Sequence, residues 1–445
     1  MAGSVYDSAL YAQLFGDKEV GPLFTDSAEI RALVLVEGAL AKAQGKLGVI
    51  PQISAAAIHR ASLEIPLDPA GLAEGTGKSG VMIPALVAAF RKAMEAPEHA
   101  QFVHFGATSQ DIVDTGLALR LRQVLGIYET RLQSVIAALG QLANTHAELP
   151  MAARTWGQNA TPTTFGAVVA TWGAPLIQAL EALPAVRAQV QQVSLSGAAG
   201  TLSAMGPKGP EVRRDLAEGL GLSDPEQTWH SNRFGVTSLA AWMTQTTAAL
   251  AKLARDIDRM TQSGIGELIM GTAGSSSTMP QKQNPVVPAQ LQAIASHVNG
   301  LNHVMQSSAV HGQARDGSAW MAEWMSLPQM CLGTGTALKQ ALDLITGLQP
   351  MPQAMRANLE NGLGLIYAES LTFLLAKSMR RPEAQEAVKT LCQRSIAEAI
   401  PLAELAASTW PDLDLATAFQ PHSTWGNSAL DAKRFAAAAL SLSNS

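Results

Sequence analysis

The stretch Leu239-Ala240-Ala241-Trp242-Met243-Thr244-Gln245-Thr246-Thr247-Ala248-Ala249-Leu250-Ala251-Lys252-Leu253-Ala254-Arg255-Asp256-Ile257-Asp258-Arg259-Met260 decides the fold class. Leu239, Met243, Thr246, Leu250, Leu253, Ile257 and Met260 alternate at four and three residues over three heptads, with no Pro or Gly between them. That is the spacing of a single helix face, sustained long enough to predict an uninterrupted rod in a bundle.

Working outward, Leu33, Val36, Leu40, Ala43 and Leu47 repeat in the same way. Asp26 and Glu29 stand ahead of them, placed as an N-cap and its N3 partner. A third helix is predicted to begin at Thr108-Ser109, whose hydroxyls can cap it, and to carry Val113, Leu117, Leu121 and Val124 on one face. The segments 161–190 and 286–310 show no β-type alternation, and no run of strands stands out. The reading is all-α. Breaks rich in Gly, Pro and Ser and a chain of 445 residues, at about 150 per domain, suggest three parts. These are 1–110, a central bundle over 111–352 with a loop at 271–288, and 353–445.

Lys and Arg total 31 against 36 Asp and Glu, a formal charge of −5, which excludes a partner held by bulk positive charge; no nucleic acid is expected. Only 15% of residues are charged and 47% are hydrophobic, so part of the apolar surplus is predicted to lie between subunits. Cys331 and Cys392 stand alone, which gives neither a disulfide framework nor a thiolate metal site and fits a reducing, cytoplasmic compartment. The first residues show no secretory pattern, and the uncharged stretches near 158–180 and 234–251 are broken by Pro, Thr and Gln, so no membrane span is predicted.

Gly274-Ser275-Ser276-Ser277-Thr278-Met279-Pro280-Gln281-Lys282-Gln283-Asn284-Pro285 reads as a loop, because consecutive hydroxyls flanked by Gly and Pro do not make a helix interior. An ammonium and an amide donor near a serine oxygen favour its ionised form, which suits proton transfer beside a carboxylate. In His104-Phe105-Gly106-Ala107-Thr108-Ser109-Gln110-Asp111, the Thr-Ser pair at a helix start offers free N–H groups and a positive dipole end to an anion, or simply caps the helix.

These two segments resemble the signature loop and the carboxylate-binding motif of the fumarase/aspartase superfamily. The resemblance implies a three-domain fold with a long central helical bundle. It also implies Ser276 as catalytic base, with Lys282 and Asn284 holding the substrate carboxylate, and His104, Thr108 and Ser109 at the substrate. Ser275 stands where the family usually has glycine, which leaves Ser275 as the other candidate hydroxyl.

Arg154-Thr155-Trp156-Gly157-Gln158-Asn159 departs from many of these lyases, which carry histidine after Arg-Thr. An indole cannot deliver a proton near neutral pH. Tryptophan there, with Trp229-His230-x-x-Arg233, Ser196-Gly197-Ala198-Ala199-Gly200-Thr201 and Arg315-x-x-x-Ala319-Trp320-x-Ala322-Glu323-Trp324, is similar to the bacterial 3-carboxy-cis,cis-muconate cycloisomerase branch. Asn159, Met321, Gln281 and Gln283 replace charged or proton-carrying residues of that branch, and Phe234-Gly235 follow Arg233, all of which leaves a substituted muconate open. His230 and His311 are expected to be structural. The alternative for Trp156 is a core filler.

The resemblance implies a cofactor-free isomerase of aromatic-acid catabolism that closes 3-carboxymuconate to 4-carboxymuconolactone. Arg154, Trp156, Gln158, Arg233 and Arg315 would bind the tricarboxylate substrate, and active sites would be shared among three subunits of a homotetramer. A lyase releasing fumarate from a succinyl substrate and a non-catalytic, crystallin-like bundle are the other readings. No His-x-x-x-His pair with a nearby acid is present, and the Gly-rich runs at 197–200 and 206–209 lack the strand and Gly-Lys-Ser/Thr of a phosphate cradle.

Overall fold

A computed structural model describes residues 3–271, 274–275, 278–279 and 282–443. Its long helices are Asp26–Lys46, Ser109–Thr145, Phe165–Val190, Phe234–Met260, Val286–Ser308 and Gly317–Thr346. The predicted rod is the fourth of these. Leu239, Met243, Leu250, Leu253 and Ile257 on it are fully buried. That stripe is therefore covered by this chain's own side chains.

The chain folds as two compact units, each assembled from three segments. The first takes residues 1–130, 179–247 and 294–337. Its core gathers Leu33, Val36 and Leu40 with Ile58, Leu86, Phe90, Ile112, Val212 and Leu216. Asp26–Lys46 packs on Gln52–Glu64 at small residues: a Cβ on Gly38 would stand 1.8 Å from Ser62 Oγ, and one on Gly45 would stand 2.2 Å from Ala55 Cβ. Only glycine lets the two backbones come this close. The N-cap is Thr25, whose Oγ1 accepts from Ala28 N at 3.2 Å. Asp26 was the expected cap; it lies one residue inside, at the positive end of the helix dipole.

The second unit takes residues 131–178, 248–293 and 338–445. Leu371, Leu375, Val388, Leu391, Leu402 and Leu405 form a separate core there. Strands Pro150–Thr155 and Gln158–Thr164 pair antiparallel with Thr155 opposite Gln158, and Leu268–Met270 pairs with Leu348–Pro350. Residues 161–164, expected to be helical, thus belong to a hairpin. Pro162 removes a helix donor and the β-branched Thr163 and Thr164 favour the extended form, so the helix begins at Phe165. Phe165–Val190 has the length and composition to cross a membrane, but half of its apolar window is buried inside the protein.

Candidate active site

In the first unit, Asp111 organises the start of the Ser109–Thr145 helix. Its carboxylate is fully buried and accepts from Thr108 N at 3.0 Å, closing the helix N-terminus from the third position. The same group accepts from Ser196 N at 2.8 Å, Gly197 N at 2.9 Å and His230 Nε2 at 2.8 Å. One carboxylate therefore ties the Thr108-Ser109 pair to the Gly-rich 196–200 loop. His230 is its buried donor. Thr108 and Ser109 remain half-buried, beside the positive end of the helix.

Gln110 extends the network. It donates to the His230 carbonyl at 2.8 Å and to Asp114 Oδ2 at 3.2 Å, and it accepts from Arg315 Nε at 2.9 Å. Arg315 also reaches the Ala198 carbonyl at 3.3 Å. Next to it, Asp316 accepts from the Ala319 N–H, the Ser318 hydroxyl and the N–H groups of Gly312 and Ser318, which fix the start of Gly317–Thr346 and hold its carboxyl down at about 2.

Arg233 was expected to bind substrate. The structure places it inside the protein, 1% exposed, with Nη1 and Nη2 on Asp114 at 2.7 and 3.2 Å, and Nε and Nη2 on Glu323 at 2.8 and 2.6 Å. Four of its N–H groups are used, and the ring of Trp229 lies 4.9 Å away. Its fork is committed to two carboxylates of its own chain, so it braces the network rather than offering a free donor. Burial lifts the Glu323 carboxyl above its ordinary range, which Arg233 offsets only in part and Asp114 reinforces.

His104 sits in a tight turn at φ +63. Its Nδ1 lies 2.7 Å from Glu37 Oε1. Burial works against charge on this ring, but the bond and charge of Glu37, with Asp111 behind it, prevail over burial and Arg91 and lift its pKa above the ordinary value. Thus His104, Thr108, Ser109 and Arg315 lie in one unit with Arg233, and a hydrogen-bond network running through Asp111, His230, Gln110 and Asp114 connects Thr108, Arg315 and Arg233.

The remaining expected residues lie in the second unit. Arg154 forms a two-pronged pair with the buried Glu267, both bonds 2.7 Å, and Asn358 donates to the same carboxylate at 3.0 Å. Trp156 and Gly157, at φ +54 and +77, make the two-residue turn between Thr155 and Gln158. Trp156 is 101% exposed, which rules out core filling. Gln158 is exposed opposite Thr155. Arg154, Trp156, Lys252, Arg259, Met151 and Met260 border a groove of about 730 Å³. In the signature loop, Gly274 pairs with Asn284 and Ser275 with Gln283, and Lys282 N donates to the Met279 carbonyl at 3.0 Å. The Lys282 side chain is exposed and Asn284 half-buried. Ser276 lies outside the described residues. Among the described residues no group of three His, Cys, Asp or Glu side chains could hold a metal ion.

Sequence reasoning passed over Glu37, Gln44 and Asp111 as site builders. Glu37 carried a signal, since it is a carboxylate within the apolar stripe between Leu33 and Leu40.

Long helices carrying a Thr-Ser helix start and a Ser-rich loop define the class as a lyase of the fumarase/aspartase type. Residues 17–300 match the family model described as Lyase, and the chain belongs to that family. It is similar to the 3-carboxy-cis,cis-muconate cycloisomerase of Pseudomonas aeruginosa, 36% identical over 379 residues that cover 84% of this chain and 83% of the relative. The enzyme of the same name from Acinetobacter baylyi is 36% identical over 398 residues, 88% of each chain. Among solved structures, the 3-carboxy-cis,cis-muconate lactonizing enzyme of Pseudomonas putida superposes with a TM-score of 0.91 at 31% identity, covering 98% of this chain and 100% of that one. The all-α fold expected from hydrophobic spacing is the fold these proteins share.

Proposed function

We propose that the chain is a cofactor-free cytoplasmic cycloisomerase that converts 3-carboxy-cis,cis-muconate, or a substituted relative, to the corresponding muconolactone. One substrate carboxylate oxygen adds to a conjugated double bond of the same molecule, forming the C–O bond and pushing the electron pair into an aci-carboxylate carbanion. A proton from Ser276 completes the lactone, and in reverse the Ser276 alkoxide removes it. Because nucleophile and acceptor are already tethered, the protein's work is orientation and charge stabilisation. Thr108, Ser109, Arg315, Lys282 and Asn284 are assigned to the substrate carboxylates. By the family resemblance the site is completed among three subunits of a homotetramer.

Trp156 carries the reading. An indole on the Arg154–Gln158 hairpin cannot protonate a departing amine, whereas a carboxylate leaving group in the reverse reaction needs no proton at pH 7. The test is loss of diene absorbance with 3-carboxymuconate and substituted analogues, run beside fumarate release from succinyl substrates. Turnover of a muconate is expected. Fumarate release with no muconate consumed would overturn the assignment. Mixing Ser276→Ala with Thr108→Ala chains should restore partial activity if the residues meet across subunits.

A further inference from the structure

Glu37 is a carboxylate buried where the helix Asp26–Lys46 meets the first unit's core, with its side chain wholly covered. Burying such a charge is costly unless it is paired. Oε1 bonds to His104 Nδ1 at 2.7 Å, while Oε2 has no hydrogen-bond partner. The compensation for Glu37 therefore rests on one ring, and is complete only when that ring is an imidazolium. Helix propensity does not account for a carboxylate here, since Leu33 and Leu40 on the same stripe are buried hydrophobics.

His104 is held to receive it. The backbone at φ +63 is unusual for a residue other than glycine. It is pinned on both sides, with Gln44 Nε2 donating to the Phe105 carbonyl at 2.6 Å and Arg91 Nη2 to the Val103 carbonyl at 2.7 Å. Gln44 lies seven residues after Glu37, on the same face of one helix. His104 Nε2 has no protein partner among the described residues, and the side chain keeps 19% of its surface exposed. Across the turn, Ala107 N donates to the His104 carbonyl at 3.4 Å, just ahead of the Thr108-Ser109 helix start.

We propose that Glu37 is a positioning residue: through Nδ1 it holds His104 as a cation whose Nε2–H faces the substrate carboxylate bound at Thr108 and Ser109. This rests on the reading of the substrate as a tricarboxylate. The charged groups around the ring are Glu37 on Asp26–Lys46, Asp111 on Ser109–Thr145 and Arg91 on Ile83–Ala93. The two carboxylates favour the cation and Arg91 opposes it. Asp111 is already bonded to His230 and three backbone N–H groups, which leaves Glu37 as the direct partner.

The test is an NMR titration of His104 in the full-length protein without substrate, assigned with His104→Gln, in wild type and Glu37→Gln. The wild-type ring should titrate above the ordinary value of 6.5, and the variant clearly below the wild type. A lowering of one unit cuts the cationic fraction about tenfold at alkaline pH. Accordingly KM for the muconate should rise about tenfold at pH 8 in Glu37→Gln, with kcat changed less than about threefold, and should recover on acidification. Binding of propane-1,2,3-tricarboxylate, a non-reacting probe, should weaken in parallel.

Equal titration of His104 in both proteins, or a KM effect independent of pH, would overturn the proposal. If Glu37→Gln fails to fold, a wild-type His104 titrating at or below 6.5 overturns it alone. Raised titration in a chain that turns over no muconate would instead overturn the proposed reaction, leaving the Glu37–His104 pairing intact.

Discussion

Arg233 and Glu323 meet through two parallel bonds, Nε to Oε1 at 2.8 Å and Nη2 to Oε2 at 2.6 Å, with Asp114 on the guanidinium's other side. Both side chains are buried, so the pair is isolated from water. Removing one charge from such a cluster leaves the others unpaired in a low dielectric. Arg233→Met should cost about 3 to 5 kcal/mol, read from the urea midpoint at pH 7, while replacing Arg233, Asp114 and Glu323 together by apolar side chains should restore most of the loss. A single-variant loss within experimental error would show that water reaches the cluster.

This also marks how far the sequence could be read. Hydrophobic periodicity located the helices because burial and helix geometry act on the same residues: Leu33, Val36 and Leu40, then Leu239 through Met260, are the side chains the structure buries. The role of Arg233 was not legible, since an arginine in a motif looks the same whether its partners are Asp114 and Glu323 from distant segments or a ligand. The 150–164 hairpin was missed for a related reason. Its strands are short and show no β-type alternation, so 161–164 reads as the start of the helix that follows until the pairing is seen. Glu37 could have been found, since a carboxylate on a buried stripe needs a partner, but only the fold supplies His104.

The Glu37–His104 pair links stability to pH. The folded-state pKa of His104 is raised, so the contribution is fully present below the unfolded value of 6.5 and is lost as pH rises through the folded value. Thermal melts of wild type and Glu37→Gln should therefore differ most near pH 6 and converge toward pH 9. A gap that widens with pH would show that Glu37 stabilises by some route other than a cationic His104.

Gly166 marks a close contact inside the second unit. A Cβ there would stand 2.5 Å from the Ala143 carbonyl oxygen and 2.7 Å from Ala147 Cα, and backbone atoms cannot move aside as a flexible side-chain end can. Gly166→Ala should lose about 1 to 3 kcal/mol by overpacking. Gly219, in the helix Gly209–Leu220, has nothing within 4 Å of its would-be Cβ. There Gly219→Ala should gain up to about 1 kcal/mol, because alanine is the better helix former. Denaturant midpoints of the two variants should therefore move in opposite directions, and equal shifts would refute the close packing at Gly166.

Trp156 separates stability from function most sharply. At φ +54 before Gly157 at +77, it occupies the first position of a type I′ turn, where both residues are left-handed and Asn-Gly is the favoured pair. A tryptophan there is strained by about 1 to 2 kcal/mol, and being fully exposed it recovers nothing from packing within its own chain. Trp156→Asn should leave the melting temperature unchanged or raise it by the equivalent of about 1 kcal/mol. If the indole binds the substrate, as the family resemblance implies, kcat/KM for the muconate should fall at least tenfold in the same preparation. A melt lowered by several degrees would assign Trp156 a structural contact. Full activity with an unchanged melt would remove the indole from substrate binding, while the absence of a proton donor at position 156 would still stand against an amine leaving group.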